Sequence, residues 1–321
     1  MTRIILAGEP AQAGLRGSLA TAFLRSGCEV DVLDLGPWDP AWLRAAAFRQ
    51  PVLGTRFRRE FRRHVDVIAD TGRADLVLIV KGAFLDSAAI DHLRNRFGSP
   101  VVCWNPDSPF DQAISNRGAG IRPAIAAYDA YITWAQDVAE QLLPVASRVL
   151  VIPFAWDPEL MAPTSGRGVA EGRIVFIGTA SKERCACLAG LAQFRPMVFG
   201  SQWPNIDGID IRPPVRGLDF CRIVGEARWN LNLLRPQNAR SHNMRTFELV
   251  GAGGAQVAPR TDDHEKFLGD DTQTALFRSE DELNAILHSD SHERQARLPD
   301  LLENHTYHHR VSMLLAELGI L

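Results

Sequence analysis

No apolar run in this 321-residue chain approaches the ~18 to 20 uninterrupted residues that cross a bilayer, so no integral membrane segment is expected. The opening Met1-Thr-Arg-Ile-Ile-Leu-Ala-Gly8 has too short an apolar stretch for a signal peptide and reads directly as a strand. Charge of one sign is also scarce. A formal net charge of -3 leaves no electrostatic footprint for nucleic acid or an anionic membrane. Cysteine is sparse as well: Cys28, Cys103, Cys185, Cys187 and Cys221 are an odd set scattered through apolar segments, which fits reduced thiols in a cytoplasmic protein. Cys185-Ala-Cys187 has no second pair at ligand spacing, which disfavours a structural zinc. Gly-x-Gly-x-x-Gly is missing, which disfavours a dinucleotide fingerprint. No Asp-x-Asp follows a strand, so the usual carboxylate pair for a divalent metal is missing too. No short repeat or low-complexity tract is visible.

What is present is alternation. The length suits two domains, and 46% hydrophobic residues are ample for real cores. In the first half Arg3 to Ala7, Glu29 to Leu33, Leu76 to Val80, Val101 to Trp104 and Ala130 to Thr133 read as strands, several of them continuous apolar runs of the kind buried on both faces. Helical patterns separate them at Gln12 to Arg25, Pro51 to Asp70, Asp86 to Phe97, Ala119 to Ala127 and Gln136 to Leu142. Strands alternating with helices predict βαβ crossovers, a parallel sheet and a Rossmann-like domain. After Val149-Leu-Val-Ile-Pro153 comes a Pro- and Gly-containing stretch, Asp157 to Gly172, which is the candidate linker.

The alternation then restarts. Strands are expected at Arg173 to Ile177, Met197 to Phe199, Trp229 to Leu233, Ala255 to Ala258 and Thr274 to Phe277. Helices are expected at Lys182 to Ala192, Leu218 to Glu226, Met244 to Gly251, Asp262 to Leu268 and Ser279 to His288, with Gln295 to Leu321 helical at the end. The basic run Arg56-Phe-Arg-Arg-Glu-Phe-Arg-Arg63 places Phe57 and Phe61 on one helix face with arginines on the solvated side; the alternative is a surface for an acidic acceptor. His305 and His309 stand one helical turn apart, but no acidic residue completes a His-Glu-x-x-His motif.

The most informative segment runs from Asn230-Leu-Asn-Leu-Leu-Arg235 through Ser241-His-Asn-Met-Arg-Thr-Phe-Glu248 to the glycines at 251, 253 and 254. It reads as a strand, a basic loop, a helix and another strand. That unit sets helix N–H groups beside Arg235, Arg240 and Arg245, suited to a diphosphate. Glu248 can accept hydrogen bonds from two neighbouring hydroxyls, as on a ribose; the alternative is a solvated helix acid. Gly178-Thr-Ala-Ser-Lys182-Glu-Arg184 is a second phosphate candidate, in which glycine admits a ligand to the backbone and Ser181 caps the helix. An ordinary capped βα turn is the alternative. On the first half, Gly8, Lys81 and Asp107 fall at carboxyl ends of parallel strands, where open α/β sheets bind ligands. Asp107 is the candidate general base or acceptor-orienting residue, or else merely caps a turn between two prolines.

Asn-Met-Arg-Thr-Phe-Glu followed by a small-residue helix end resembles the donor-site helix of family 1-like GT-B glycosyltransferases, particularly the group related to the spore-maturation protein CgeB. Four further segments agree in the same order: Trp104-Asn-Pro-Asp107-Ser-Pro109, Ile152-Pro-Phe-Ala-Trp-Asp157-Pro, Ile174-Val-Phe-Ile-Gly178 and His305-Thr-Tyr-His-His-Arg310. The resemblance spans roughly the whole chain. It implies an α/β GT-B fold: a Rossmann-like acceptor domain (residues 1–155) and a Rossmann-like donor domain (156–304) facing across a cleft, and a C-terminal helix (305–321) returning to the first domain.

The implied activity is a hexosyltransferase-type transfer from a nucleoside-diphosphate sugar such as a UDP-sugar to a hydroxyl acceptor, whether glycan, protein or small molecule. No cofactor is expected beyond that donor substrate. Negative charge builds on the leaving diphosphate, and Arg235, Arg240 and Arg245 supply positive charge in place of a metal. Gly178, Thr179, Lys182, Arg184, Asn243, Met244 and Glu248 complete the implied donor set. Gly8, Lys81 and Trp104 are assigned to the acceptor or cleft side, and Asp107 and His242 are the catalytic candidates; for His242 and Trp104, which could contact the donor sugar, the alternative is an ordinary loop or core residue. Glu248 sits where the superfamily places the second acid of Glu-x7-Glu, and Arg240 stands in place of the first, so stereochemistry stays open. The alternatives are a nucleotide-sugar 2-epimerase on the same architecture, or a nucleotide-binding or assembly protein without catalysis.

Overall fold

The computed structural model describes residues 1–8, 14–34, 51–82, 85–111, 121–164, 168–269, 273–289, 301 and 303–320, with the backbone alone over 51–58. The chain divides into two compact units, Met1–Pro153 with His308–Leu321, and Phe154–Tyr307.

Unit 1 runs β1 (Arg3–Gly8), α1 (Leu15–Arg25), β2 (Glu29–Asp34), α2 (Pro51–Ala69), β3 (Leu76–Val80), α3 (Ser87–Phe97), β4 (Val101–Trp104), α4 (Ile121–Ala124), β5 (Ala130–Thr133), α5 (Gln136–Leu142) and β6 (Val149–Val151). The six strands form one parallel sheet in the order β2-β1-β3-β4-β5-β6. The centre is built from continuous apolar runs. Leu76 to Ile79 and Val101 to Trp104 are all buried, as strands covered on both faces must be. Helix α3 is fixed at both ends: the Asp86 carboxylate accepts the Ala89 N–H at 2.9 Å and Gly98 closes it with φ 64°, the left-handed position that favours glycine. On α2, Phe61 and Val65 are buried while Arg59, Arg62 and Arg63 are exposed, so this part of the basic run is a solvated face. The side chains of Arg56, Phe57 and Arg58 lie outside the described residues, as do Gln12, Ala119 and the start of the C-terminal segment.

Unit 2 runs β7 (Ile174–Ile177), α6 (Lys182–Gly190), β8 (Met197–Phe199), β9 (Asp210–Arg212), α7 (Gly217–Glu226), β10 (Trp229–Leu231), α8 (Arg245–Gly251), β11 (Gln256–Pro259), α9 (Asp262–Phe267), β12 (Thr274–Phe277) and α10 (Glu280–His288). Its sheet is also six-stranded and parallel, in the order β12-β11-β10-β7-β8-β9. One core packs Val175, Ile177, Met197 and Phe199 against Phe220 and Val224 of α7. A second packs Ile174, Phe176, Val198 and Trp229 against Leu188, Leu283 and Leu287. The fold expected from the alternation of strands and helices is therefore the fold found. β9 has no counterpart in the sequence reading, because three half-exposed edge residues carry no pattern.

The last helix, α11 (Tyr307–Glu317), begins two residues after His305. His305 instead stacks on Phe247 and lies edge-on to Phe267, and the chain beside it pairs with the start of the unit through Trp156 N–H to His305 O at 2.8 Å and a parallel bridge from Trp156 to Thr306. In unit 1, Arg310 Nε donates to Pro153 O at 3.0 Å, and Arg148 meets Glu317 at 3.0 Å. Among the described residues no helix is long and apolar enough to cross a membrane.

Candidate functional site

The turns that leave β7, β8 and β10 lie along the carboxyl edge of the second sheet, since these strands are neighbours and parallel. The β7 and β8 turns touch closely. A Cβ on Gly200 would overlap the Gly178 carbonyl, and that carbonyl also accepts the Trp203 indole N–H at 2.9 Å. Ser181 then caps α6 by accepting the Arg184 N–H at 3.3 Å. The cap foreseen for this turn is thus present.

Arg184 lies one turn into α6 and folds back over Phe176, its guanidinium 5.2 Å from the ring centre. Its Nε and Nη2 donate to Leu233 O at 3.1 and 2.8 Å, and its Nη1 donates to Thr179 O at 2.9 Å. Three of its five N–H donors therefore brace the β7 and β10 turns. Burial lowers the Arg184 pKa to about 10, with the positive charges of Arg235 and Arg245 adding to the shift. Arg184 reaches Leu233 O, two residues before Arg235, and Arg245 reaches Ile177 O at the end of β7, so the three arginines belong to neighbouring strand ends. Lys182 and Arg240 are exposed and make no such contribution at Arg184.

Arg245 opens α8. Its guanidinium lies 4.6 Å from the Phe220 ring centre, its Nε approaches Ile177 O at 3.5 Å, and Nη1 forms an ion pair with Glu248 one turn on. Glu248 is buried, at 4% exposure, so its reading as a solvated helix acid does not hold. A carboxylate that leaves water needs such a partner, because an isolated buried charge is costly.

Beneath this edge lies a connected polar network. Asn243 Oδ1 accepts the Thr246 N–H at 3.1 Å, and its Nδ2 donates to Asn232 Oδ1 at 2.8 Å. Asn232 is buried and donates in turn to Gln256 Oε1 at 2.9 Å. The Thr246 hydroxyl donates to His264 Nε2 at 2.9 Å, while His264 Nδ1 donates to Pro259 O at 2.6 Å. Burial lowers the His264 pKa to about 4. These bonds hold Asn243, Met244 and Arg245 in place at the head of α8. Asn232, a buried polar residue directly after strand β10, was the available signal for such a network.

His242 stands just before the head of α8. It is fully buried, among Phe154, Phe247 and Phe267. Its Nδ1 donates to Asp263 Oδ2 at 2.7 Å and its Nε2 accepts the Phe154 N–H at 3.1 Å. Both ring nitrogens are engaged within the protein. Asp263, which the sequence reading did not single out, also accepts from the Ser241 hydroxyl.

On unit 1, Gly8, Lys81 and Asp107 follow the neighbouring strands β1, β3 and β4. Lys81 Nζ lies 2.8 Å from Asp107 Oδ2. The Asp107 N–H donates to Asn105 Oδ1 at 3.1 Å, and Asn105 Nδ2 to the Tyr131 hydroxyl at 2.8 Å. Gly8 O accepts from Arg16 Nη1 at 3.1 Å. Trp104 is fully buried within β4, as a core residue is. Burial pushes the neighbouring Cys103 thiol up to about 12, against hydrogen bonds from Tyr131 and Tyr128. Among the described residues no group of three or more His, Cys, Asp or Glu stands together to hold a metal ion.

Residues 182–316 match the family model described as glycosyl transferase-like. No curated protein matches the chain in sequence. Among solved structures, sucrose-phosphate synthase from Thermosynechococcus elongatus is similar with a TM-score of 0.66 at 11% identity, over 100% of both chains. AviGT4, a glycosyltransferase involved in avilamycin A biosynthesis, gives 0.63 at 13% identity over 98% of this chain and 96% of its own. A variant of T4 phage BGT in complex with UDP-glucose gives 0.58 at 12% identity over 98% of each chain. The two parallel six-stranded sheets with their helices are the GT-B fold of these glycosyltransferases.

Proposed function

We propose that the chain is a glycosyltransferase that moves a sugar, of the hexosyl type, from a nucleoside-diphosphate sugar to a hydroxyl acceptor. The observation that carries this reading is the placement of Arg184, Arg235 and Arg245 at the carboxyl ends of β7 and β10 in the second sheet, with Glu248 buried beside Arg245. Breaking the anomeric C–O bond leaves charge on a diphosphate, and fixed cations in a water-poor site stabilise that charge as it develops. Arg235 and Arg245 contact the diphosphate, while Arg184 braces the turns and adds to the field. Glu248 accepts from ribose hydroxyls. Because three guanidinium groups supply the countercharge, the reaction runs without a divalent metal.

Unit 2 holds the donor, and unit 1 supplies the acceptor chemistry through Asp107, which takes the proton of the incoming hydroxyl. The ordered motifs from Trp104 to Arg310 support a relationship to the CgeB-like group. The test is hydrolysis of UDP-glucose and dTDP-glucose by the full chain. Turnover by the wild type and its loss in Asp107→Ala support the reading; binding of nucleoside diphosphates with no turnover of any donor sugar replaces it with a binding protein.

A further inference from the structure

We propose that Lys81 is the positioning residue for Asp107, and that its left-handed backbone is retained for that purpose. The inference rests on the reading of Asp107 as the general base. Among the described residues three non-glycine positions have positive φ: Lys81 at 71°, Arg195 at 47° and Gln202 at 64°. Arg195 closes a short 3-10 turn, an ordinary place for this conformation, and Gln202 lies in an exposed bend. Lys81 differs from both. It directly follows the buried strand β3, and its backbone is tied on both sides: its N–H donates to Trp104 O at 2.9 Å and its carbonyl accepts from Cys103 Sγ at 3.8 Å.

The following residue, Gly82, is also left-handed at φ 66°. A Cβ there would lie 2.5 Å from the Tyr128 hydroxyl, so the turn has no room for a side chain at 82. A glycine at 81 would adopt its conformation without strain, whereas a lysine pays a steric cost. Strain of this kind persists where the surroundings hold it and where function uses it.

What the lysine gains is its ion pair with Asp107, a charge-assisted hydrogen bond with directional strength. Asp107 is held from its other side by its own N–H on Asn105, which Tyr131 anchors in turn. The carboxylate is therefore fixed through both backbone and side chain. In the reaction the acceptor O–H bond breaks, its proton passes to the carboxylate, the hydroxyl oxygen bonds to the anomeric carbon, and the electron pair of the broken C–O bond leaves with the diphosphate. A base fixed in this way meets the hydroxyl in a productive geometry more often than a mobile one.

The test uses the full chain with Lys81→Met, Lys81→Arg, Lys81→Gly and Asp107→Ala, read by UDP-glucose hydrolysis and thermal melting. Lys81→Met and Lys81→Gly are expected to lower kcat by roughly 10- to 100-fold with KM within about twofold of wild type; Lys81→Arg restores part of the loss. Lys81→Gly is expected to melt above Lys81→Met, since both lack the ammonium and only glycine relieves the backbone. Lys81→Met turning over within twofold of wild type, while Asp107→Ala is inactive, overturns the inference. Full activity in Asp107→Ala overturns instead the reading beneath it. The melting comparison needs no donor, and Lys81→Gly melting below Lys81→Met overturns the claim of retained strain.

Discussion

The buried His242 pairs with the half-buried Asp263, Nδ1 to Oδ2 at 2.7 Å. The same imidazole accepts the N–H of Phe154 through Nε2, where unit 2 begins. Geometry thus assigns the neutral tautomer with its proton on Nδ1. The pair joins the Ser241–Met244 loop to the start of α9 and to the first residue of the unit.

Replacing Asp263 with Ala is expected to destabilise unit 2 by about 2 kcal/mol, because it strips acceptors from a buried imidazole and a hydroxyl. Burial raises the Asp263 pKa, but hydrogen bonds from His242 and Ser241 and the charges nearby outweigh it and leave the carboxyl below its usual range. A group whose folded pKa is depressed stabilises above its unfolded pKa and loses that contribution as pH falls through the folded value. Urea melts at neutral pH and in the carboxylate range check both statements. An Asp263→Ala midpoint equal to wild type at neutral pH contradicts them.

His264 gives a second pH signature. Its pKa falls from 6.5 to about 4 on folding, so between those values the unfolded chain binds a proton that the folded chain does not. Stability should therefore rise with pH across that window and flatten above it, by about 3 kcal/mol in full. His264→Gln should flatten the rise even if it lowers stability overall. An unchanged slope in that variant contradicts the assignment.

Arg245→Ala removes the partner of a buried carboxylate together with the phosphate contact proposed for it. Affinity for UDP is expected to fall by about 1.5 to 3 kcal/mol, and the fold to lose stability because Glu248 is left buried and unpaired. Arg245→Ala with Glu248→Gln should recover stability without recovering affinity. Calorimetric titration and melting of the two variants separate the effects; unchanged UDP affinity in Arg245→Ala contradicts its assigned contact.

Legibility differed between residues for physical reasons. Leu76 to Val80 reads as a buried strand because every position is apolar, and the observed strand has those limits. The segment from Asn230 to Val257 reads as strand, loop, helix and strand because its apolar period changes along the chain, and those elements are found in that order. Side-chain engagement was less legible. Arg184 resembles a phosphate ligand in sequence, yet the carbonyl of Leu233, 49 residues away, takes two of its donors. His242 sits in a polar loop where exposure is the natural expectation, and its burial depends on Asp263, 21 residues on. Trp104 stands beside a Pro-rich turn, but β4 ends only at that residue, so its ring belongs to the core.

Treatment with EDTA is expected to leave donor turnover unchanged if, as proposed, the countercharge for the diphosphate comes from guanidinium groups. Loss of activity that manganese restores contradicts that account. Steady-state rates before and after chelation decide it.

The most direct measurement is a calorimetric titration of UDP into the wild-type chain and into Arg235→Ala. Arg235 is the member of the arginine cluster whose replacement leaves the Arg245–Glu248 pair and the Arg184 brace in place. A nucleotide site at this edge predicts saturable binding by the wild type and affinity at least about tenfold weaker in the variant. No binding of UDP or any other nucleoside diphosphate, or equal affinity in the two proteins, contradicts it.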